Sequence, residues 1–347
     1  MLLRYLAGAS AAGALAGCGS LTGRLALKAP TTPLAPPTLA PHTSAPALTR
    51  PFDVGSLPAN ELGLIPVFMF HRVADTVRSD YDITPDDLWA TLTRLYVEGY
   101  RPIRAIDLVR GRIQVPRGRT PVVLTFDDSS PGQFHQLSAG EVSPRSGVGV
   151  LQAFHRKHPA FAATGTLYLN GHPFDVPNTA VALQSLSAAG FELGNHTLDH
   201  VNLGQVSKLK GQQEIVELQD LMAAAVPGRH PVTFSLPYGV WPADREITVS
   251  GSWQGRTYHH EGVMLVGSAP AASPYSTGWD PQAIPRIRAA TWDREQMFCH
   301  NWWLSRLTRE PQTRYVSAGR PGSVTYPRHL AAGLAPQFRR VGRPYSA

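Results

Sequence analysis

From residue 62 onward the chain alternates short, unbroken apolar runs with longer segments whose apolar residues recur at helical spacing. "LIPVFMF" (64–70), "PVVLTF" (121–126), "GTLYL" (165–169), "FELGN" (191–195), "VTFSLPY" (232–238) and "GVMLVG" (262–267) are the runs. Continuous apolarity without polar alternation marks strands covered on both faces, as in a parallel sheet. Between them, "TPDDLWATLTRLYVEGY" repeats apolar positions at Leu88, Leu92 and Leu95, one stripe of a helix. "GVGVLQAFHRKH", "NTAVALQSLSAAG" and "QVSKLKGQQEIVELQDLMAAA" are helical for similar reasons. Six or seven strand–helix units predict an α/β domain, either a barrel or an open doubly wound sheet. In both, reactive side chains gather at the carboxyl ends of the strands. There is no internal repeat, so residues 62–295 are expected to form a single catalytic domain. Residues 296–347 form a C-terminal extension without a readable motif.

The first sixty residues have another texture. "MLLRYLAGASAAGALAGC" places Arg4 ahead of a short run of small apolar residues that ends at Cys18. It is too short and too rich in Ala and Gly for a membrane span, and it suits a secretory signal. Leu15, Ala16, Gly17 and Cys18 resemble a bacterial lipobox, so residues 1–18 are expected to be a lipoprotein signal peptide. A lipidated Cys18 would anchor an exported protein to the membrane at the cell envelope, since more than one acyl chain holds stably. Residues 19–61, including "KAPTTPLAPPTLAPHTSAPAL", form a Pro/Thr/Ala-rich linker, because repeated proline blocks helix and sheet alike. Only Cys299 would then remain, which excludes an intramolecular disulfide.

Composition adds two constraints. Hydrophobic residues at 43% and charged residues at 16% describe a globular chain rather than a disordered one. The net charge of +7 suits nucleic acid, anionic lipid or an acidic wall polymer. No dense Lys/Arg run with interleaved aromatics is present, so nucleic acid is set aside.

Candidate chemistry sits where the strand rule expects it. "PVVLTF" ends in Asp127 and Asp128, "FELGN" runs into His196 and His200, "VTFS" leads to Pro237 and Tyr238, and "LIPVFMF" ends at His71. Two histidines four apart share one face of a helical turn. Alone they are as easily a surface pair, and an Asp pair alone is as easily a helix cap. Together, one carboxylate and two imidazoles make a facial set for a divalent ion, with positions left for water and substrate. Adjacent residues at a strand end point in different directions. One aspartate therefore ligates while the other takes a proton from the attacking water. That reading makes Asp128, His196 and His200 the ligands.

"LTFDD" and "GNHTLDH" resemble the first and second motifs of polysaccharide deacetylases with a NodB-homology domain. The resemblance covers about residues 64–290 and implies a distorted (β/α)7-type barrel. It also implies a divalent metal, with Zn expected and Co, Ni or Mn as alternatives. The implied reaction removes acetyl groups, N-acetyl before O-acetyl, from a glycan such as poly-N-acetylglucosamine or peptidoglycan. By the same resemblance Asp127 is the general base, and Asp128, His196 and His200 hold the metal. "LPYG" (236–239) is the third motif, with Pro237 and Tyr238 lining the substrate groove and its backbone holding the oxyanion.

Three departures stand out. Ser129 and Ser130 follow the aspartates where family members usually have Gly. Ser235 occupies the place of an Arg that braces the base, and Arg286 in "AIPRIR" is the candidate replacement, a surface arginine being the alternative. The late L-x-H motif that supplies the general acid is absent. His71 in "VFMFH" offers the same strand-then-His form at the front of the domain, and first and last strands of a closed barrel are neighbours. This start is similar to that of the exopolysaccharide (poly-N-acetylglucosamine) deacetylase branch. The rival acid is the His259/His260 pair, expected to be exposed. Trp241, Trp253, Trp279 and Trp292 suit either sugar stacking or core. Other readings are a non-catalytic glycan-binding lipoprotein, a transporter's solute-binding protein and a zinc peptidase, which Thr197 in place of a catalytic Glu disfavours.

Overall fold

A computed structural model describes residues 57–137, 141–291 and 297–346. The signal peptide, the lipobox with Cys18, most of the linker and Trp292 lie outside the described residues. Eight parallel strands make the main sheet: β1 Val67–Phe70, β2 Tyr100–Ile103, β3 Thr120–Phe126, β4 Thr166–Leu169, β5 Glu192–Asn195, β6 Thr233–Ser235, β7 Gly262–Met264 and β8 Ile287–Arg288. The helices are α1 Pro85–Val97, α2 Ala105–Val109, α3 Gly147–Lys157, α4 Thr179–Ala188, α5 Lys208–Ala225 and α6 His300–Arg309. All six apolar runs contain a strand. The run 232–238 stops pairing at Ser235, just before Pro237, whose ring removes a donor. β2 and β8 escape the apolar pattern because Arg101 and Pro102 interrupt one, and the other is two residues long, Ile287 and Arg288, directly after Arg286.

Local chemistry fixes the helix starts. Thr84 accepts a hydrogen bond from Asp87 N ahead of α1, with Pro85 in the first turn, and Leu88, Leu92 and Leu95 are buried. Ser146, Asn178 and Ser207 cap α3, α4 and α5 through their side chains.

The strands run in the order β7-β6-β5-β4-β3-β1-β8, with β2 also on β3. β3 pairs with β1 on one edge, and on the other with β2 and then β4. The sheet curls until its ends meet at residues 284–288. Ile284 exchanges hydrogen bonds with Val263 and Leu265 beside β7, while Ile287 and Arg288 pair with Phe68 and Met69 of β1. This is the distorted (β/α)7-type barrel that the sequence resemblance implies, and its seam is a handful of residues.

One apolar layer lies between sheet and helices, around Phe68, Leu124, Leu167, Leu183 and Phe154. The lumen is different, because polar groups cross it. Glu192 accepts from Thr166 Oγ1 (2.9 Å), Thr233 Oγ1 (2.7 Å) and Ile106 N (2.8 Å). Burial raises its pKa against those donors. Tyr168 donates to Thr233 Oγ1 at 3.0 Å, and its ring lies 2.4 Å from where a Cβ on residue 194 would sit. Only glycine fits there.

Residues 297–346 pack on this same body. Leu304 of α6 joins the main core, and Tyr315 joins the inner cluster with Ile65 and Val67. Arg314, fully buried, donates to Thr120 Oγ1 (2.9 Å) and Glu98 O (2.9 Å). No helix among the described residues is long and apolar enough to cross a membrane. Leu304→Ala should therefore cost about 2–5 kcal/mol, the range for a buried leucine. Urea denaturation of the purified protein measures it, and a loss below about 1 kcal/mol would show that α6 is peripheral.

Candidate active site

The backbone at the strand ends is bent into uncommon conformations. After β3, Asp128 (φ 71°) and Ser129 (φ 43°) are left-handed, which sends Asp127 into the lumen and Asp128 toward the groove. Ser129 thus holds a conformation that favours Gly. Its Oγ accepts from Asn170 N (3.1 Å) and its carbonyl from Phe174 N (2.7 Å), which ties the strained turn to the next strand end.

His196 and His200 do not lie on a helix, as their spacing suggests. The segment after β5 is a loop with Thr197 (φ 64°) and His200 (φ 50°) left-handed, and this curl brings the two rings to 4.8 Å. Asn170 Nδ2 donates to the carbonyls of His196 and Thr197, each at 2.9 Å. The buried Glu214 of α5 accepts from Asp199 N at 2.8 Å. Asn170 and Glu214 are positioning residues without a sequence signal, because what they hold at the site are backbone atoms.

Asp128, His196 and His200 converge. Asp128 Oδ1 is 3.4 Å from Nε2 of both His196 and His200. One potential ligand atom from each residue lies within 4.8 Å of the others. Ligands about 2.0–2.1 Å from one zinc ion at the tetrahedral angle stand about 3.4 Å apart, which both Asp128–histidine distances match. The chemistry of the donor set fits as well. His196 Nδ1 donates to Ser235 O at 2.8 Å, which turns Nε2 toward the cluster. Asp128 Oδ1 is buried with no hydrogen-bond donor, an orphan acceptor that a cation would satisfy. Burial opposes charge on His196, yet the carboxylates of Asp127 and Asp128 outweigh it and hold the imidazole above the usual histidine range. Burial and the neighbouring His196 hold His200 below that range.

Asp127 is the most constrained group of the site. It is 1% exposed and receives both arms of Arg286, Nη1 to Oδ1 at 2.6 Å and Nη2 to Oδ2 at 2.7 Å. Ser235 Oγ adds a bond to Oδ2 at 3.0 Å and accepts from Arg286 Nη2 at 2.9 Å. Burial alone would raise the carboxyl's pKa. The Arg286 charge, with His196, overrides that and holds it well below the usual carboxylate range. Arg286 is fully buried rather than a surface residue, and it also donates to Thr125 Oγ1 and Leu265 O. Ser235 occupies the position of the missing arginine and hydrogen-bonds to the carboxylate that arginine would brace.

His71 follows β1, which pairs with both β3 and β8, so its backbone adjoins the Asp127 strand. Gln133 Nε2 donates to His71 O (2.7 Å) and to Asp127 O, joining the two strand ends. The His71 ring packs edge-on against Tyr81 at 4.7 Å, and its Nδ1 is buried without a partner. Burial holds its pKa below the histidine norm, against the pull of Asp127 and Asp128. Pro237 is buried in the turn after β6, while Tyr238 (φ 56°) is 61% exposed with its ring 4.4 Å from that of His200. The rival acid pair divides. His259 is exposed, whereas His260 is buried and stacked on Phe234, contrary to expectation. Trp241 and Trp253 pack partly buried on one core cluster and Trp279 on another.

A carboxylate and two imidazoles beside a braced second carboxylate, on the carboxyl rim of a curled parallel sheet, form a site suited to metal-assisted hydrolysis. The family model for polysaccharide deacetylases matches residues 114–250, a stretch that holds Asp127, Asp128, His196, His200, Pro237 and Tyr238. Over this stretch the chain is similar to the polysaccharide deacetylases. It is similar to a chitooligosaccharide deacetylase of Bradyrhizobium sp. (strain ANU 289), at 27% identity over 127 residues, 37% of this chain and 50% of the relative. The match thus spans about half the length of that curated relative. Among solved structures, the Streptococcus pyogenes deacetylase PplD in complex with acetate has a TM-score of 0.51 at 17% identity, over 65% of this chain and 92% of its own. The Bacillus anthracis BA0330 protein gives 0.50 at 16%, over 68% and 67%. At these identities the likeness is one of fold.

Replacing Arg286 by Met leaves a buried carboxylate unpaired and should cost about 3–5 kcal/mol. Chemical denaturation reads the loss. An Arg286→Met protein as stable as wild type would show that Asp127 is braced by other groups.

Proposed function

We propose that the protein is a metal-dependent deacetylase that removes acetyl groups, N-acetyl foremost, from a cell-envelope or extracellular polysaccharide such as poly-N-acetylglucosamine or peptidoglycan. The observation that carries this reading is the buried Asp127–Arg286 pair set against the Asp128, His196 and His200 cluster. The family match and the chitooligosaccharide deacetylase relative support the substrate class. Asp128 Oδ1 and Nε2 of the two histidines would hold a divalent ion, zinc being expected. When bound, the ion supplies a Lewis acid for the acetyl carbonyl.

The chain's own residues do the rest. Arg286 keeps Asp127 ionised, so its carboxylate is ready to take the proton of the attacking water. Asp127 Oδ2 lies 3.9 Å from His196 Nε2, which places base and metal ligand around one reacting volume. The groove beside them, lined by Asp128, Ser129, Asn170, His172, Leu198 and His200, encloses about 450 Å³, within the range of small-molecule sites. Tyr238, exposed beside His200, offers a face for a pyranose ring. His71 is the general acid for the departing amine. Its half-buried position holds its proton affinity down at rest, so the proton it delivers is the one Asp127 takes from the attacking water, passed on as negative charge develops on the substrate. The departures at Ser129 and Ser235 are offset, one by hydrogen bonds to the strained turn, the other by Arg286. A merely glycan-binding role would leave the braced carboxylate without a use. The lipobox reading places the enzyme at the envelope, tethered through Cys18.

Metal analysis of variants tests the division of labour. His200→Ala and Asp128→Asn should purify with little metal, while Asp127→Asn keeps about one ion per chain and loses at least about a hundredfold in activity. Full metal and full activity in His200→Ala would place the site elsewhere.

His71 has a chemical test. His71→Ala should bind metal normally, lose most activity on N-acetylated oligosaccharides and lose far less on aryl acetate esters, whose leaving groups need no proton. Equal losses on both substrates would make His71 structural.

A further inference from the structure

Residues 311–347 contain six arginines and no Asp, Glu or Lys. Arg314 is buried, and Arg320, Arg328, Arg339, Arg340 and Arg343 are exposed. A second acid-free stretch, residues 110–126, brings Arg117 and Arg119. The fold joins the two stretches. Gly118 N donates to Ser317 O (2.8 Å) and Ser317 N to Arg119 O (2.9 Å). A cleft of about 510 Å³ opens between them, lined by Leu57, Arg117, Arg320, Thr325 and Tyr345 among others. Arg343 sits opposite Thr325 in the parallel pairing of Val324–Pro327 with Gly342–Tyr345. The nearby carboxylate, Glu61, is buried and engaged with the backbone, accepting from Ala318 N (3.0 Å) and Thr325 N (2.6 Å). Among the described residues, none of Arg117, Arg320 and Arg343 is in an ion pair.

The position of this face is as informative as its charge. Arg117 and Gly118 lead into the first residue of β3, so the cleft lies at the amino ends of the strands. Asp127 and Asp128 leave the other end of the same strand. Residues 57–59 line the cleft, so the Pro-rich linker joins the domain at its basic end.

We propose that this face docks on an anionic phospholipid surface, with the arginine guanidiniums pairing headgroup phosphates and the catalytic groove turned away. Guanidinium and phosphate match in a bidentate geometry, and among the described residues the carboxylate beside the cleft, Glu61, is buried and engaged with the backbone. A lipid surface is favoured over a soluble anionic polymer because the linker, and with it the expected Cys18 tether, emerges at the same end. In that last respect alone the inference leans on the envelope reading; the arginine face itself does not depend on the deacetylase chemistry.

The test uses the full chain carrying Cys18→Ser, so that acylation plays no part. Co-sedimentation is measured with phosphatidylcholine vesicles with and without phosphatidylglycerol. Binding should require phosphatidylglycerol and weaken as salt rises. Each arginine near an anionic surface contributes about fivefold, so Arg117→Gln/Arg320→Gln/Arg343→Gln should lose on the order of a hundredfold. The corresponding triple Lys variant should retain most of the binding, which separates charge from misfolding. Equal binding to phosphatidylcholine alone, or an unchanged affinity in the Gln variant, would overturn the proposal. So would displacement from vesicles by soluble polyphosphate at equal phosphate concentration, which would identify a polymer-binding face. Loss of deacetylase activity with vesicle binding intact would sink the function proposed above and leave this one standing.

Discussion

The ion pair between Arg286 and Asp127 does two jobs at once. Arg286 stands in the residues that bridge β7 and β1, so the barrel closes around it. Asp127 ends the central strand and faces the metal-ready cluster. Two charges buried this deeply are a poor source of net stability, since desolvation cancels most of their attraction. What they provide is definition. An unpaired member would be so unfavourable that the seam and the Asp127 carboxylate have one shared arrangement.

Polar order continues from that pair through the lumen. The Arg286 guanidinium lies 5.7 Å over the Tyr168 ring, Tyr168 donates to Thr233, and Thr233 to Glu192. A barrel filled with branched aliphatics packs by volume alone, whereas this one is registered by directional bonds. Gly194 fits that scheme, because the Tyr168 ring needs the room a side chain would take. The same bonds orient the rim: Ser235 touches Asp127 with its hydroxyl and the His196 ring with its carbonyl.

Much of this was legible in the sequence, and the limits have physical causes. The six apolar runs and four amphipathic segments were visible because burial on both faces leaves a continuous signature. The convergence of Asp127, Asp128, His196 and His200 was readable from their residue types and strand-end positions. Arg286 could be named as a candidate but not seen to be buried, since its partners are up to 161 residues away. β8 could not be found, because a strand of two residues, one of them an arginine, has no periodicity. The helical geometry inferred for His196 and His200 failed for a related reason. A spacing of four constrains only the sequence, and left-handed residues can curl a loop to the same end. The burial of α6 and Tyr315 was invisible because each contributes few apolar residues to a core built mostly elsewhere.

The seam has a dynamic consequence. β8 contributes two residues to the sheet, while β3 contributes seven. An element held by so few ladder bonds relies on other contacts to stay closed, here the fully buried Ile287 and the Arg286–Asp127 pair, so opening the seam means separating that pair. Each such opening withdraws the guanidinium from Asp127, so the carboxylate regains basicity and mobility together. The ionisation of Asp127 and the closure of the barrel are thus lost together as the temperature rises.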